Sequence, residues 1–172
     1  MSVLKSFFNL ADKILPSKAA YAHCDIPCGI YDPHLAQSSA HTVIRMNMLI
    51  SQLKIPLDNA KPEELNDYHH KLVRYTETKE KHAELCKQEI RIIWGDYFKP
   101  EHLQNFPGLH DLVWKIMKLG SKVKQEINMP ASEELLDNVN KFAEIFWKTK
   151  GVETVKVKAF YPTEHDIVLP KV

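Results

Sequence analysis

The chain has 172 residues, 44% of them hydrophobic and 26% charged, enough for one domain with a sizeable core. Its formal net charge is +1. No basic block is long enough for a nucleic-acid surface, and no apolar run is long enough for a membrane span.

Residues 1–22 read differently from the rest. Val3, Leu4, Phe7, Phe8, Ala11, Ile14 and Leu15 recur at helical spacing, and the segment ends in the small-x-small triplet Ala20-Tyr21-Ala22. Asn9, Asp12 and Lys13 interrupt any apolar centre, which argues against a secretory signal and for a cytoplasmic protein. Read from its residues, the segment is a short amphipathic helix packed on the domain or a disordered end.

His23-Cys24-Asp25-Ile26-Pro27-Cys28-Gly29-Ile30-Tyr31-Asp32-Pro33 follows, and the rest of the chain is organised around it. Two of the three cysteines lie here, and an odd count argues against complete pairing. Proline and glycine keep the stretch from being a regular helix or strand. Cys24 and Cys28 therefore read as metal ligands, as zinc ligands with His34 or His41, or as a disulfide pair.

Four amphipathic helices come next. Ser39, Val43, Met46, Ile50 and Leu53 mark one face of the first. Residues 54–61 form a loop, and Pro62-Glu63-Glu64 starts a long second helix running to about Trp94. Its stripe is Leu65, Tyr68, Leu72, Tyr75, Lys79, His82, Cys86 (or Leu85), Glu89 and Ile93. Gly95 and Pro100 end it at a corner. Pro107 opens a third helix with Leu109, Leu112, Val113, Ile116 and Val123 inward. After a break at Asn128-Met129-Pro130, Ser132 is the expected cap of a fourth, which buries Leu135, Val139, Phe142, Phe146 and Trp147 and closes at Gly151. The fold class is all-α, an up-and-down four-helix bundle over 23–150 carrying an N-terminal metal-binding hook. Residues 151–172 are a C-terminal extension. The run Thr154–Phe160 alternates like a strand but has no evident partner, so an extended or disordered tail is expected.

The hook resembles that of the nickel superoxide dismutases, His-Cys-Asp-x-Pro-Cys-Gly-x-Tyr-Asp-Pro, with every fixed position filled. Trp94-Gly95-Asp96-Tyr97-Phe98-Lys99-Pro100 looks like that family's corner, and Ile145-Phe146-Trp147-Lys148-Thr149-Lys150 looks like the end of its last helix. The resemblance implies a four-helix bundle assembled as a homohexamer. It implies one nickel ion per subunit and superoxide as substrate, converted to dioxygen and hydrogen peroxide by Ni(II)/Ni(III) cycling. It implies that a processing protease removes residues 1–22, so that the His23 amine and the Cys24 amide join the Cys24 and Cys28 thiolates, with the His23 imidazole as axial ligand.

The resemblance assigns further roles. Tyr31 helps position substrate and water, Asp25 acts through its backbone amide, and Pro27 shapes the hook as a cis proline. Tyr97 lines the pocket or packs the corner, and Lys99 and Lys148 attract the anion. At the positions of the family's imidazole-holding glutamate and arginine stand Ser39 and His82. Cys86 reads as a buried, inert thiol. A non-catalytic nickel or copper carrier and a Cys24–Cys28 redox switch are the alternatives of other classes.

Overall fold

The computed structural model describes residues 28–171. Among them are five α-helices: α1 His34–Ser51, α2 Pro62–Ile92, α3 Pro100–Asn105, α4 Leu109–Gln125 and α5 Met129–Thr149. Two strands follow, β1 Thr154–Lys158 and β2 Asp166–Pro170. No helix among the described residues is long and apolar enough to cross a membrane.

The four long helices form the bundle, in a ring α1–α2–α4–α5 with α5 closing on α1. The sequence sets their ends. Asp32 Oδ1 accepts the His34 N–H at 2.7 Å, and the Pro33 carbonyl takes the Gln37 N–H at 3.1 Å, so α1 starts as the hook motif ends. Pro62 opens α2 with Glu63 and Glu64 in its first turn, complementing the helix dipole. Gly151, at φ +71, supplies the left-handed residue that lets the chain leave α5.

The core is mainly apolar. Val43 and Ile44 of α1, Cys86 and Ile90 of α2, Ile116 of α4, and Leu135, Val139, Phe142 and Phe146 of α5 are each fully buried. Each large side chain among them contributes about 1.5–3 kcal/mol by leaving water. The expected inward faces of the first, third and fourth helices are largely those observed, with Met46, Leu53, Leu112 and Trp147 half-buried at the margins.

The structure corrects three expectations. The α5 cap is Asn128, whose Oδ1 accepts the Ala131 N–H at 3.0 Å. Pro130 sits in the first turn, where a missing N–H costs nothing, so the helix begins before Ser132. Ser132 lies inside it and donates back to the Asn128 carbonyl at 2.9 Å.

The α2 stripe is only half core. From Pro62 to Thr78 no residue is buried, whereas Lys79, Ala83, Cys86 and Ile90 are. With 31 residues α2 outruns the 18 of α1 and 17 of α4 by roughly 20 Å. This overhang leaves Leu65 and Val73 exposed, beside Ile55 and Leu57 of the preceding loop.

The C-terminal extension is a β-hairpin. Thr154–Lys158 pairs antiparallel with Asp166–Pro170, Val155 opposite Leu169 and Val157 opposite Ile167. The hairpin packs on α5, with Ile167 and Val168 buried. A lone hairpin is marginal in water, and this one is held by the helices beneath it.

Candidate metal centre

Of the residues singled out for the site, His23, Cys24, Asp25 and Pro27 lie outside the described residues. The remaining limb of the hook, Cys28 to Pro33, is described. Cys28 is exposed, and its Sγ accepts the Ile30 N–H at 3.4 Å. Gly29 has φ +72, a conformation that side-chain-bearing residues avoid, and so permits the sharp turn after the thiol. Tyr31 is half-buried and packs on the core, its ring 5.7 Å from that of Tyr97. Pro33 is buried and Asp32 is exposed.

Tyr97 belongs to a π-helical turn, Ile93–Tyr97, that closes α2. Such turns are frequent at functional sites, because the extra residue re-aims the side chains around it. Pro100, read as a helix stop, also opens the short α3. The Tyr97 ring touches Phe146 at 4.8 Å and stacks on His102 at 5.6 Å. Its hydroxyl lies 2.8 Å from Thr149 Oγ1, and the Thr149 hydroxyl in turn donates to the Phe146 carbonyl at 2.7 Å. Thr149 has one proton and it is spent, so Tyr97 is the donor and keeps lone pairs free to accept. Lys150 Nζ stands 5.2 Å over the Tyr97 ring, and Lys148 Nζ lies 5.8 Å from the Phe106 ring. Lys99 and Lys148 are exposed at the same corner. The site therefore has an aromatic floor and a cationic rim.

Ser39 and His82 fare differently. Ser39 is buried, and its Oγ has no hydrogen-bond partner among the described residues. The natural backbone acceptor for such a hydroxyl, the Leu35 carbonyl, is already taken by Ser38 at 3.1 Å. His82 is half-buried, and its Nδ1 lies 2.8 Å from the Thr78 carbonyl. Counted along the helix, His82 is about 20 Å from Tyr97. The structure brings Tyr31 to Tyr97 and does not bring His82 to either.

Other thiol and histidine chemistry is restricted. Burial, followed by the nearby Glu89 charge, pushes the Cys86 thiol up to about 12. It stays protonated in the core. His41, one of the two candidate zinc partners, is buried with Nδ1 against Thr163 Oγ1 at 2.8 Å. Among the described residues no group of three or more His, Cys, Asp or Glu could hold a metal ion. An exposed thiol braced by an amide N–H, and an unpartnered buried hydroxyl on the helix that follows, fit a nickel centre completed by the hook's first residues.

Sequence reading missed Gln37, Asn140 and Thr149, and weighed His41 only as a zinc partner. Each was a polar residue within a helical pattern, and the only available signal was a polar position falling on or beside a buried stripe.

These features define a class: a helical bundle whose aromatic, lysine-rimmed corner receives the segment before α1 through Tyr31. The comparisons with known proteins are specific. The model of the nickel-containing superoxide dismutase family matches residues 18–150. The Ni superoxide dismutase of Streptomyces seoulensis is 35% identical over 135 residues, covering 78% of this chain and 93% of the relative. That of Streptomyces coelicolor is 36% identical over the same shares. A crystal structure of nickel-containing superoxide dismutase, with ligation corresponding to the oxidised state, superposes with a TM-score of 0.63 at 35% identity, covering 75% of this chain and 99% of the other. The chain belongs to the nickel-containing superoxide dismutase family, and is thereby an oxidoreductase with nickel as its cofactor.

Proposed function

We propose that the protein disproportionates superoxide, 2 O2•− + 2 H+ → O2 + H2O2, at a hook formed by His23, Cys24 and Cys28. The observation that carries this reading is the docking of Tyr31 on Tyr97, which seats the limb bearing Cys28 against the corner that resembles the family's own. One nickel ion per subunit would supply one-electron chemistry between its divalent and trivalent states, which thiolate donors bring within reach.

The chain's own residues do the rest. Cys24 and Cys28 bind as thiolates, and the His23 amine and Cys24 amide complete the donor set with the His23 ring. The amine requires a free N-terminus at residue 23, and an α-amino group, with a pKa near 8, loses its proton readily to a metal. A protease therefore removes residues 1–22. Because Asn9, Asp12 and Lys13 break the leader's apolar centre, we place the mature enzyme in the cytoplasm.

Lys99, Lys148 and Lys150 draw the anion toward the corner. Tyr31 and the Asp25 amide orient it, with Tyr97 held as a donor to Thr149 beneath them. Ser39 offers its unpartnered hydroxyl to the hook. His82, at the position of the family's arginine, acts on the His23 ring only where hook or assembly carries that ring to it. A homohexamer is supported by the family resemblance and by the exposed Ile55, Leu57, Leu65 and Val73 of the overhang.

The test uses protein beginning at His23, loaded with nickel, against the chain beginning at Met1. Nickel at one ion per chain and rapid superoxide consumption only in the former support the reading. Nickel bound without turnover would make the protein a carrier. A Cys24–Cys28 disulfide with no nickel uptake would make it a redox switch.

A further inference from the structure

The C-terminal hairpin lies beyond the 18–150 family match, and the superoxide dismutase structure is covered over 99% of its length by only 75% of this chain. Family function therefore leaves the hairpin unaccounted for. Its contacts give it a role.

Gln37 is 1% exposed and Asn140 is 2% exposed, and together they join three elements. The Gln37 side-chain amide donates to Asn140 Oδ1 at 2.9 Å and to the Val168 carbonyl at 3.1 Å. Asn140 Nδ2 donates to the Asp166 carbonyl at 2.9 Å. Val168 and Asp166 are two residues apart on β2, so both carbonyls lie on one edge of the strand. Both Gln37 amide protons are used. A buried polar network of this kind, when satisfied, specifies one arrangement of its elements.

Gln37 also holds the hook. Its backbone N–H bonds the carbonyl of buried Pro33, the last residue of the hook motif. One residue thus ties the root of the hook to α5 and the hairpin. The hook is anchored twice, through Tyr31 on Tyr97 and through Pro33 and Gln37 on Asn140 and Val168.

We propose that the hairpin is a clasp that fixes the pose of the hook, with Gln37 as its positioning residue. This inference rests on the nickel-hook reading above for its consequence at the metal, but not for the mechanical coupling itself. Losing the Gln37 donors frees the first turn of α1 to shift against α5, and the limb from Cys28 to Pro33 shifts with it. Nickel retention then falls by about tenfold, the low end for groups that act on ligands at one remove.

The test uses Gln37→Met, which keeps the side chain's length and removes both donors, and Thr163→Val, which loosens the hairpin at His41 and leaves the bundle core untouched. Amide exchange is read at Ile30, Tyr31 and His34, with the α4 amides as control. Nickel loss to a chelator and the electron paramagnetic resonance spectrum of the oxidised protein are recorded on the same samples. The proposal expects faster exchange confined to hook and hairpin in both variants, larger for Gln37→Met. It also expects about tenfold faster nickel loss and an altered spectrum for Gln37→Met. Wild-type hook exchange, spectrum and retention in Gln37→Met would overturn it, as would exchange that rises equally in α4. If the wild-type protein takes up no nickel, the function proposed above fails, while exchange at the hook of the metal-free protein still decides whether the clasp exists.

Discussion

Acid should loosen the C-terminal hairpin through His41. The ring is 3% exposed, with Nδ1 on Thr163 Oγ1 at 2.8 Å and its face edge-on to Tyr161 at 4.9 Å. Burial lowers its pKa from 6.5 to about 4. The Asp166 carbonyl, already accepting from Asn140, pulls the value back up, as does the Asp166 charge, while His165 and His34 push it down. Arg45 lines the same cleft.

The docked state favours neutral imidazole. Above pH 6.5 both states are neutral and docking is at full strength. As pH falls from 6.5 toward 4, the undocked ring takes a proton that the docked ring refuses, and stability is lost. Below about 4 the loss is constant. The full shift corresponds to roughly 3.4 kcal/mol as an upper bound, and incomplete titration together with solvent at the hairpin edge reduces it to about 1–2 kcal/mol near pH 5. The assay is hairpin amide exchange, at Ala159 and Val168, in wild type and His41→Gln between pH 7.5 and 4.5. Wild type should lose protection as pH falls, and the variant should start lower and change less. Parallel pH profiles in the two proteins would refute the reasoning.

Cys24→Ser and Cys28→Ser should each abolish superoxide turnover, whereas Cys86→Ser should keep it and lose about 1 kcal/mol of stability in a denaturant titration. Protein beginning at Met1 should be inactive at any nickel concentration, and trimming it to His23 should restore turnover, checked by intact mass and metal content. Ser39→Ala should leave thermal stability within about 1 kcal/mol of wild type, since it removes an unpartnered hydroxyl, yet accelerate nickel loss to a chelator if the hook uses that hydroxyl. His82→Gln should leave nickel content and turnover at wild-type levels, because His82 lies about 20 Å along the helix from Tyr97 and bonds the Thr78 carbonyl. Turnover slowed at full nickel content would show that assembly brings His82 to the hook.

Most of the bundle could be read from the chain because its cause is local. Heptad-like apolar spacing in α1, α4 and α5, and Pro62 and Gly151 at helix ends, act over a few residues. The overhang of α2 was not legible, since Leu65, Leu72 and Tyr75 keep the amphipathic period whether or not a partner helix extends far enough to cover them. The hairpin was missed for a different reason. Asp166–Pro170 is short and ends in proline, and the turn before it carries no Asn-Gly signal. What makes it a strand is its docking on Gln37 and Asn140, over 100 residues apart in sequence from one another. The hook was legible as a motif because its chemistry demands residue types at fixed spacing. The polar residues behind its two anchors were not, because Gln37 and Thr149 are ordinary polar residues until the fold places them beside a carbonyl or a tyrosine.

Buried polar groups divide the molecule into two ends with different work. At the far end, Lys79 is 2% exposed and donates to the Glu126 carbonyl at 2.7 Å, its ammonium placed at the C-terminus of α4 where the helix dipole favours a cation. Burial lowers its pKa, so the bond holds at a cost in desolvation. Asn47 donates to Ser132 Oγ at 2.7 Å nearby, tying α1 to the first turn of α5. These groups close the α4–α5 turn and touch nothing that leads to the hook. At the near end, Gln37, Asn140, Tyr97 and Thr149 tie the hook's root to α5, the hairpin and the π turn. Loss of a far-end group should therefore act through the folding equilibrium and spread over the whole bundle. Loss of a near-end group should act first on the pose of Cys28, because the limb from Cys28 to Pro33 reaches the bundle through those side chains.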